Sequence, residues 1–338
     1  MKKTVLTILA ILILILAFVG WNFFGPTVKQ PEKKYFYIPT GENYEKVKSD
    51  LHDQGIVSNK SIFNFASKII GYKKIIPGRY EIKDGSSLIS LVRMLKNGRQ
   101  SPVNLVITKL RTKETLAKKL GNQFEFDSLQ MIGFLNDADS LKKFGLDTNT
   151  VLFAVLPNTY SIKWNSTPGK VFQKLFSEAQ KFWMPERKQK ADSLHLTPLQ
   201  VYILASIVEE ETNIKADKYN IASVYINRYK KGMNLQSCPT IKFAMKNFAL
   251  TRIYDKYLEI KSPYNTYKNK GLPPGPICTP QPETIDEVLN APKTGYLYFV
   301  ANSDMKGGTV FTSDYKEHLK YAKEYQIALD KLESKNKN

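Results

Sequence analysis

The stretch Thr197–Thr212, TPLQVYILASIVEEET, predicts a helix with a well-marked start and three acids at its end. Thr197 is a suitable N-cap, because its side chain can accept a hydrogen bond from the first turn. Pro198 fits the first helical position, where a missing N–H costs nothing. Gln200 stands where the partner in a capping box reaches back to the N-cap. We therefore expect a helix that begins at Pro198.

The position of Glu211 on this helix indicates catalysis. At about 100° per residue it falls within the apolar arc, and Glu209 and Glu210 lie on either side of it. A carboxyl group among apolar side chains has a raised pKa, and a general acid must still be protonated near neutral pH. The alternative is a helix that ends at Val208 and leaves all three acids solvated. The arc consists of Val201, Leu204, Ile207 and Val208.

Composition restricts the classes of partner. The chain has 338 residues, 42% hydrophobic and 24% charged, which is ordinary for globular domains. Its formal net charge of +19 favours anionic partners such as nucleic acid, anionic lipid or a negatively charged envelope polymer. The alternative is a basic surface that serves solubility alone.

The N-terminus predicts the compartment. Residues 4–24, TVLTILAILILILAFVGWNFF, carry no charge and are long enough to cross a bilayer. We expect a transmembrane anchor over residues 1–25, with a short cytoplasmic end. A cleaved signal peptide is the alternative. Either way, the rest of the chain is expected outside the cytoplasm, so nucleic acid is not predicted as a partner.

Metal and cofactor binding are not predicted. The chain has two cysteines, Cys238 and Cys278, and three histidines, with no CxxC motif or Cys/His cluster. In an oxidising compartment the two cysteines are compatible with a disulfide or with two free thiols.

The pattern after the anchor predicts an α+β protein. Residues 26–34 are expected to be a polar stalk. A β-α-α-β unit follows within residues 35–108, together with a further helix and strand, and its order of elements resembles a LysM module, which binds amino-sugar polymers. A small docking domain that touches no glycan is the alternative. Residues 109–338 are expected to form a mixed α+β domain.

Within residues 109–338 the pattern predicts several particular elements. Residues 151–162 read as a buried strand that leads into a loop, and residues 171–187 read as one amphipathic helix. Residues 262–282 are rich in Pro and Gly and cannot form a helix or a central strand. A hairpin around Gly307 and a C-terminal helix with an apolar stripe for core packing complete the chain. Further predictions are a helix over 219–231 and an extended segment over 232–240.

Four blocks of this sequence resemble the YceG-like family of endolytic murein transglycosylases. The likeness extends over nearly the whole chain, and the blocks occur in the family's order. The family usually has Asp where this chain has Cys238, and often Asp where it has Asn158. The blocks are LASIVEEET (204–212), IASVYINRYKKGMNLQSCPT (221–240), SPYNTYKNKGLPPGPICTP (262–280) and YLYFVANSDMKGGTVFTSDYKEH (296–318).

The resemblance implies a site. The family's catalytic acid is the second Glu of E-x-E-T, which is Glu211 here, and Glu209 is the second choice. It implies cleavage of the bond between N-acetylmuramic acid and N-acetylglucosamine, with a 1,6-anhydro end as product. Peptidoglycan glycan strands and peptidoglycan synthases are the implied partners at the plasma membrane. The predicted substrate-binding residues are Asn227, Gln236, Thr240, Asn265, Thr266 and Tyr267.

Two other functions are compatible with these residues. One is a muramidase that uses two carboxylates on the same substrate. The other is a non-enzymatic envelope scaffold that binds glycan through the LysM-like module.

Overall fold

The computed structural model describes residues 2–335, which divide into two compact units. Within the described residues, unit 1 comprises 2–105, 121–127 and 160–167, and unit 2 comprises 106–120, 128–159 and 168–335. The predicted boundary at residue 108 lies close to the first crossing between the units. Two short later segments of unit 1 were not anticipated from the sequence.

Unit 1 contains the predicted β-α-α-β order. β1 and β2 pair antiparallel, with Tyr35 opposite Glu81 and Ile38 opposite Gly78. The helices pack apolar faces against this ribbon, and Phe36, Leu51 and Phe63 are buried in its core. The elements are α1 (Lys2–Phe24), β1 (Tyr35–Ile38), α2 (Tyr44–Asp53), α3 (Lys60–Ile70), β2 (Gly78–Glu81) and α4 (Leu88–Lys96).

Helix α1 is long and apolar enough to span a membrane. Its segment Lys3–Phe24 has 22 residues, and the most apolar window within it has a mean hydropathy of 2.7 and no buried residue. A bilayer core about 30 Å thick requires about 20 such residues. The structure therefore agrees with a membrane-anchored protein.

The residues after α1 pack against unit 1 instead of extending as a stalk. Val28 is 1% exposed, and its N–H donates to the Ser86 carbonyl at 3.0 Å. The N–H of Lys29 donates to the Ile56 carbonyl at 3.1 Å. The predicted polar stalk over 26–34 is thus held by the module's own backbone.

Unit 2 is mainly helical. Helix α10 lies at its centre and packs on α11, α12 and α14. β5 and β6 form the predicted hairpin, and β3 pairs with β4. The remaining elements of the chain, of which β3, α5 and β4 have residues in both units, are β3 (Val103–Ile107), α5 (Lys113–Gly121), α6 (Ser128–Asn136), α7 (Ala138–Lys142), a 3-10 helix (Val151–Ala154), β4 (Asn158–Ile162), α8 (Pro168–Phe182), α9 (Pro185–Ser193), α10 (Pro198–Glu211), α11 (Lys215–Lys230), α12 (Cys238–Ala244), α13 (Asp255–Leu258), α14 (Pro282–Leu289), β5 (Tyr298–Ala301), β6 (Thr309–Thr312) and α15 (Tyr315–Lys335).

Three predicted elements are corrected by the structure. Val151–Ala154 form a 3-10 helix, and the strand begins only at Asn158. The helix predicted over 171–187 is two helices, because Pro185 begins α9 at its N1 position. The segment predicted as extended over 232–240 ends in α12, whose first turn accommodates Pro239.

The C-terminal helix also differs from expectation. Its apolar stripe was predicted to pack in a core, yet Tyr315 is 55% exposed and Leu319 is 49% exposed. Among the stripe's other members, Leu332 is 44% exposed. Periodicity shows that a helix has an apolar face, whereas only the tertiary structure shows whether another element covers it.

Shortening the side chain of Val28 should destabilise unit 1. Val28→Ala removes two buried methyl groups, so we expect a loss of about 1–3 kcal/mol in the free energy of unfolding. Urea unfolding of the detergent-solubilised chain measures it. Lys33→Ala, at an exposed position in the same segment, is the control and should change stability by less than about 0.5 kcal/mol. Equal, small effects of both substitutions would indicate a free stalk.

Candidate functional site

The three acids Glu209, Glu210 and Glu211 form the C-terminal end of α10, the central helix of unit 2. Thr197 and Gln200 form the predicted capping box, with Thr197 Oγ1 accepting from the Gln200 N–H at 3.2 Å. Every residue from Val201 to Glu209 is buried. The helix continues to Glu211, so the prediction of its extent is confirmed and the alternative that it ends at Val208 is wrong.

The carboxyl group of Glu211 is held through one oxygen. Tyr225, on α11, donates its hydroxyl to Oε1 of Glu211 at 2.5 Å. Ser237, the N-cap of α12, donates its hydroxyl to the same oxygen at 2.7 Å. Among residues 2–335, none donates a hydrogen bond to Oε2 of Glu211. One oxygen is therefore fixed, and the other is available for a proton or a substrate.

Burial raises the pKa of Glu211 above its ordinary value of 4.5. The hydroxyls of Tyr225 and Ser237 and the charge of Lys242 act in the opposite direction, because they stabilise the carboxylate. The nearby charge of Glu210 raises the pKa further. The raised pKa favours the protonated acid, as a general acid requires.

Glu209 lies in the interior instead. Its Oε2 accepts from Lys218 at 3.0 Å and from the hydroxyl of Thr284. Glu209 is 7% exposed, and Glu287 lies on the other side of Lys218 at 4.0 Å. This buried ion pair joins α10, α11 and α14. The structure therefore places Glu209, the second-choice acid, in an ion pair between helices.

Glu210 is also bound by cations. Arg111 donates to both of its carboxylate oxygens, with Nη2 to Oε2 at 2.8 Å, and Lys109 lies 3.1 Å from Oε1. Arg111 also lines a cavity of about 190 Å³ together with Phe243, Lys246 and Tyr264. A cavity lined by basic and aromatic side chains thus lies beside the C-terminal end of α10.

Four of the predicted substrate-binding residues make their polar contacts inside the protein. Asn227 donates to the carbonyls of Thr294 and Tyr296 at 2.9 and 3.0 Å. Asn265 is fully buried and donates to the carbonyls of Leu258 and Ile260 at 2.8 and 2.9 Å. The hydroxyls of Thr240 and Thr266 lie 2.8 Å apart, and Thr266 accepts from the Ser237 N–H at 3.0 Å. These contacts hold the backbone around Ser237 and along 258–267.

The other two predicted residues reach the surface beside Ser237. Gln236 is exposed and has a φ of 54°, a left-handed conformation that is uncommon for residues with a side chain. The hydroxyl of Tyr267 lies 3.2 Å from Sγ of Cys238. Cys238 and Cys278 are both free thiols, so the structure contains no disulfide between them.

Sequence reasoning missed Tyr225, Ser237 and Arg228. Arg228 is 7% exposed and donates to the carbonyls of Leu297 and Leu235 at 2.6 and 2.8 Å. Burial lowers its pKa. Helical periodicity predicts that Tyr225 is buried, but it does not show whether the hydroxyl of Tyr225 binds a carboxylate. The four-block resemblance was the one signal that includes all three residues.

Between residues 2 and 335, no group of three or more His, Cys, Asp or Glu side chains is placed to hold a metal ion.

The fold and site define an α+β protein with one half-buried acid at the end of a central helix. The sequence profile of the YceG-like family matches residues 36–324. An endolytic murein transglycosylase of Bacillus subtilis is 29% identical over 327 residues, covering 90% of each chain. One from Streptococcus pneumoniae is 30% identical over 317 residues, which are 84% of this chain and 57% of that protein.

A solved structure agrees with these sequence relatives. The crystal structure of a YceG-like protein from Listeria monocytogenes has a TM-score of 0.56 and 26% identity. The likeness covers 86% of this chain and 99% of that one. This chain belongs to the YceG-like family.

Removing the charge of Glu209 and of Glu211 should have opposite effects on stability. Glu209→Gln leaves buried Lys218 with only the more distant carboxylate of Glu287 at 4.0 Å and should cost about 3 kcal/mol. Glu211→Gln removes an acid whose raised pKa makes ionisation unfavourable in the folded protein. The stability that the protonated acid contributes is present at low pH and is lost as the pH rises through the raised pKa.

Thermal unfolding at pH 5 and pH 8 measures both effects. The melting temperature of Glu211→Gln relative to the parent should increase from pH 5 to pH 8, whereas Glu209→Gln should be lower at both. A pH-independent difference for Glu211→Gln would contradict the raised pKa.

Proposed function

We propose that this chain is a membrane-anchored lytic murein transglycosylase that cleaves within glycan strands. The names of its relatives support the reaction class and the substrate. The observation that carries the proposal is the geometry of Glu211, in which one carboxyl oxygen is fixed by two hydroxyls and the other is free. The raised pKa of this group agrees with a general acid.

The proposed reaction needs only one enzyme carboxyl. Glu211 gives its proton to the glycosidic oxygen as the bond between that oxygen and C1 of N-acetylmuramic acid breaks. The resulting carboxylate accepts the proton of the C6 hydroxyl of the same sugar while that oxygen bonds to C1. The products are a 1,6-anhydro end and a free N-acetylglucosamine hydroxyl, and Glu211 is protonated again.

Tyr225 and Ser237 have a defined part in this cycle. Both donate to Oε1, so the transferable proton resides on Oε2. After Glu211 has given up that proton, the two hydroxyls stabilise the carboxylate until it accepts the next one. They also orient the carboxyl plane, which proton transfer requires. They are positioning residues, and Glu211 is the catalytic residue.

The neighbouring acids favour this reaction over a muramidase. A second catalytic carboxylate would have to face the substrate opposite the acid. Glu209 is paired with Lys218 in the interior, and Glu210 is bound by Arg111 and Lys109. Each of these acids is thus already bound by a cation. The substrate's own hydroxyl is therefore the better nucleophile.

The predicted substrate-binding residues form two groups, those that contact the glycan and those that hold the backbone around it. Gln236 and Tyr267 are placed to contact sugar, because their side chains reach the surface next to Ser237. Asn227, Thr240 and Asn265, with Thr266, support binding by holding the surrounding backbone. Cys238, in place of the family's usual Asp, adds a neutral side chain next to the acid.

The proposed location follows from α1. The helix would place the protein in the plasma membrane as a single pass, with its N-terminus in the cytoplasm and its catalytic unit outside, on the periplasmic side. New glycan strands emerge there, so cleavage could end their elongation by peptidoglycan synthases. The net charge of +19 suits anionic head groups and carboxylate-bearing stem peptides.

Replacing the acid should abolish the reaction. Glu211→Gln cannot supply the proton, so we expect a loss of at least about 100-fold in the rate of strand cleavage. Mass spectrometry of digested peptidoglycan counts 1,6-anhydro ends. Glu259→Gln, an exposed acid, is the control. Reducing ends in the parent digest would support the muramidase instead, and unchanged cleavage by Glu211→Gln would support a scaffold.

Two variants should move the pH profile in opposite directions. Activity falls as the pH rises through the pKa of Glu211, because the acid form is lost. Tyr225→Phe removes a hydrogen bond to the carboxylate, so it should raise that pKa and move the alkaline limb upward. Glu210→Gln removes a negative neighbour and should move it downward. The rate of anhydro-end formation between pH 5 and pH 9 tests both, and shifts in the same direction would contradict this assignment.

A further inference from the structure

The last turn of α1 packs on unit 1 through Phe23, whereas Trp21 and Phe24 in the same turn remain exposed. Phe23 is 7% exposed and belongs to the same core cluster as Phe36 and Phe63. Its ring contacts the ring of Phe65 on α3 edge to face, with centroids 5.8 Å apart. Helix α3 therefore lies directly beside the point where α1 ends.

The length of α1 determines how deep in the membrane its C-terminal end lies. The 22 residues from Lys3 to Phe24 span about 33 Å at 1.5 Å per residue, which matches a bilayer core of about 30 Å. If Lys3 marks one boundary of the hydrocarbon core, Phe23 lies near the other. Phe65, in ring contact with Phe23, lies at the same depth.

The outward side of α3 has the composition of a membrane-surface helix. Phe65 is 54% exposed and Ile69 is 63% exposed, although both are large apolar residues. Because they are four residues apart, they lie on one side of the helix. Lys68 on the same helix and Lys73 and Lys74 just after it are also exposed. We call these five residues the α3 face.

We propose that the α3 face lies on the outer leaflet, with Phe65 and Ile69 at the boundary between head groups and acyl chains. The three lysines then bind anionic head groups, each contributing through electrostatic attraction near the surface. Continuity with α1 identifies the occupant as the bilayer. The α3 face consequently fixes the height of unit 1 above the membrane, together with the packed segment after α1.

The contact with Val28 and Lys29 makes this arrangement rigid. Their backbone N–H groups bond to Ser86 and Ile56 of unit 1, so the connection from α1 has no free length with which to lift the module. A module on a flexible stalk would vary in its height above the membrane. In the proposed arrangement, unit 1 keeps one height.

Site-specific fluorescence in lipid nanodiscs tests the proposal on the full chain. In a C238S/C278S background, I69C is labelled with an NBD fluorophore in discs that contain phosphatidylglycerol and nitroxide-labelled lipid. We expect about half of the emission at position 69 to be lost to quenching, as for a group at the acyl boundary. L12C, in the middle of α1, is the positive control. K163C, an exposed position beside Trp164 of unit 1, is the negative control and should be quenched little.

Three results would overturn the proposal. One is quenching at position 69 no stronger than at 163, and another is an unquenched L12C, because the face would then have no membrane to lie on. Adding K68E/K73E/K74E should weaken quenching at position 69 in discs with phosphatidylglycerol. Unchanged quenching in that variant would overturn the assignment of the lysines to anionic head groups.

Discussion

The site depends on removing one carboxyl group partly from water without pairing it to a cation. The end of α10 carries three consecutive acids, and two of them are neutralised by Lys218 and by Arg111 with Lys109. Glu211 has two hydroxyl donors instead. A cation in direct contact would lower its pKa and leave it without a proton at neutral pH. Hydroxyls orient the group and permit both protonation states, which a reaction that uses the acid twice requires.

The surrounding structure serves this arrangement. Helix α10 is buried from Val201 to Glu209, so its end cannot shift without disturbing the core of unit 2. Helix α11 supplies Tyr225, and the N-cap of α12 supplies Ser237. The buried threonines at 240 and 266 hold Ser237 through its backbone. Two residues that were predicted to bind sugar, Thr240 and Thr266, therefore hydrogen-bond the backbone of Ser237 instead.

Membrane attachment adds a second constraint. Phe23 in the last turn of α1 belongs to the core of unit 1, so the end of the anchor is packed on the module. In the proposed arrangement the α3 face sets the height of unit 1 above the bilayer.

The local sequence determined much of this protein. The capping residues Thr197, Pro198 and Gln200 predicted the start of α10, and 3.6-residue periodicity selected Glu211 from three adjacent acids. The alternation around Gly307 predicted the β5–β6 hairpin, and the uncharged run over 4–24 predicted α1. These features depend on neighbours within a few residues, which a pattern can report.

Tertiary structure alone decided the rest. Contacts between separate segments decide three features of this protein. Glu209 pairs with Lys218, Asn265 donates hydrogen bonds to backbone carbonyls, and the apolar stripe on α15 is half exposed. The same side chain type binds a ligand, caps a backbone or faces solvent according to what the fold brings next to it. Residue type and periodicity carry no information about those neighbours, and for this reason Tyr225 and Ser237 could be assigned only from the structure.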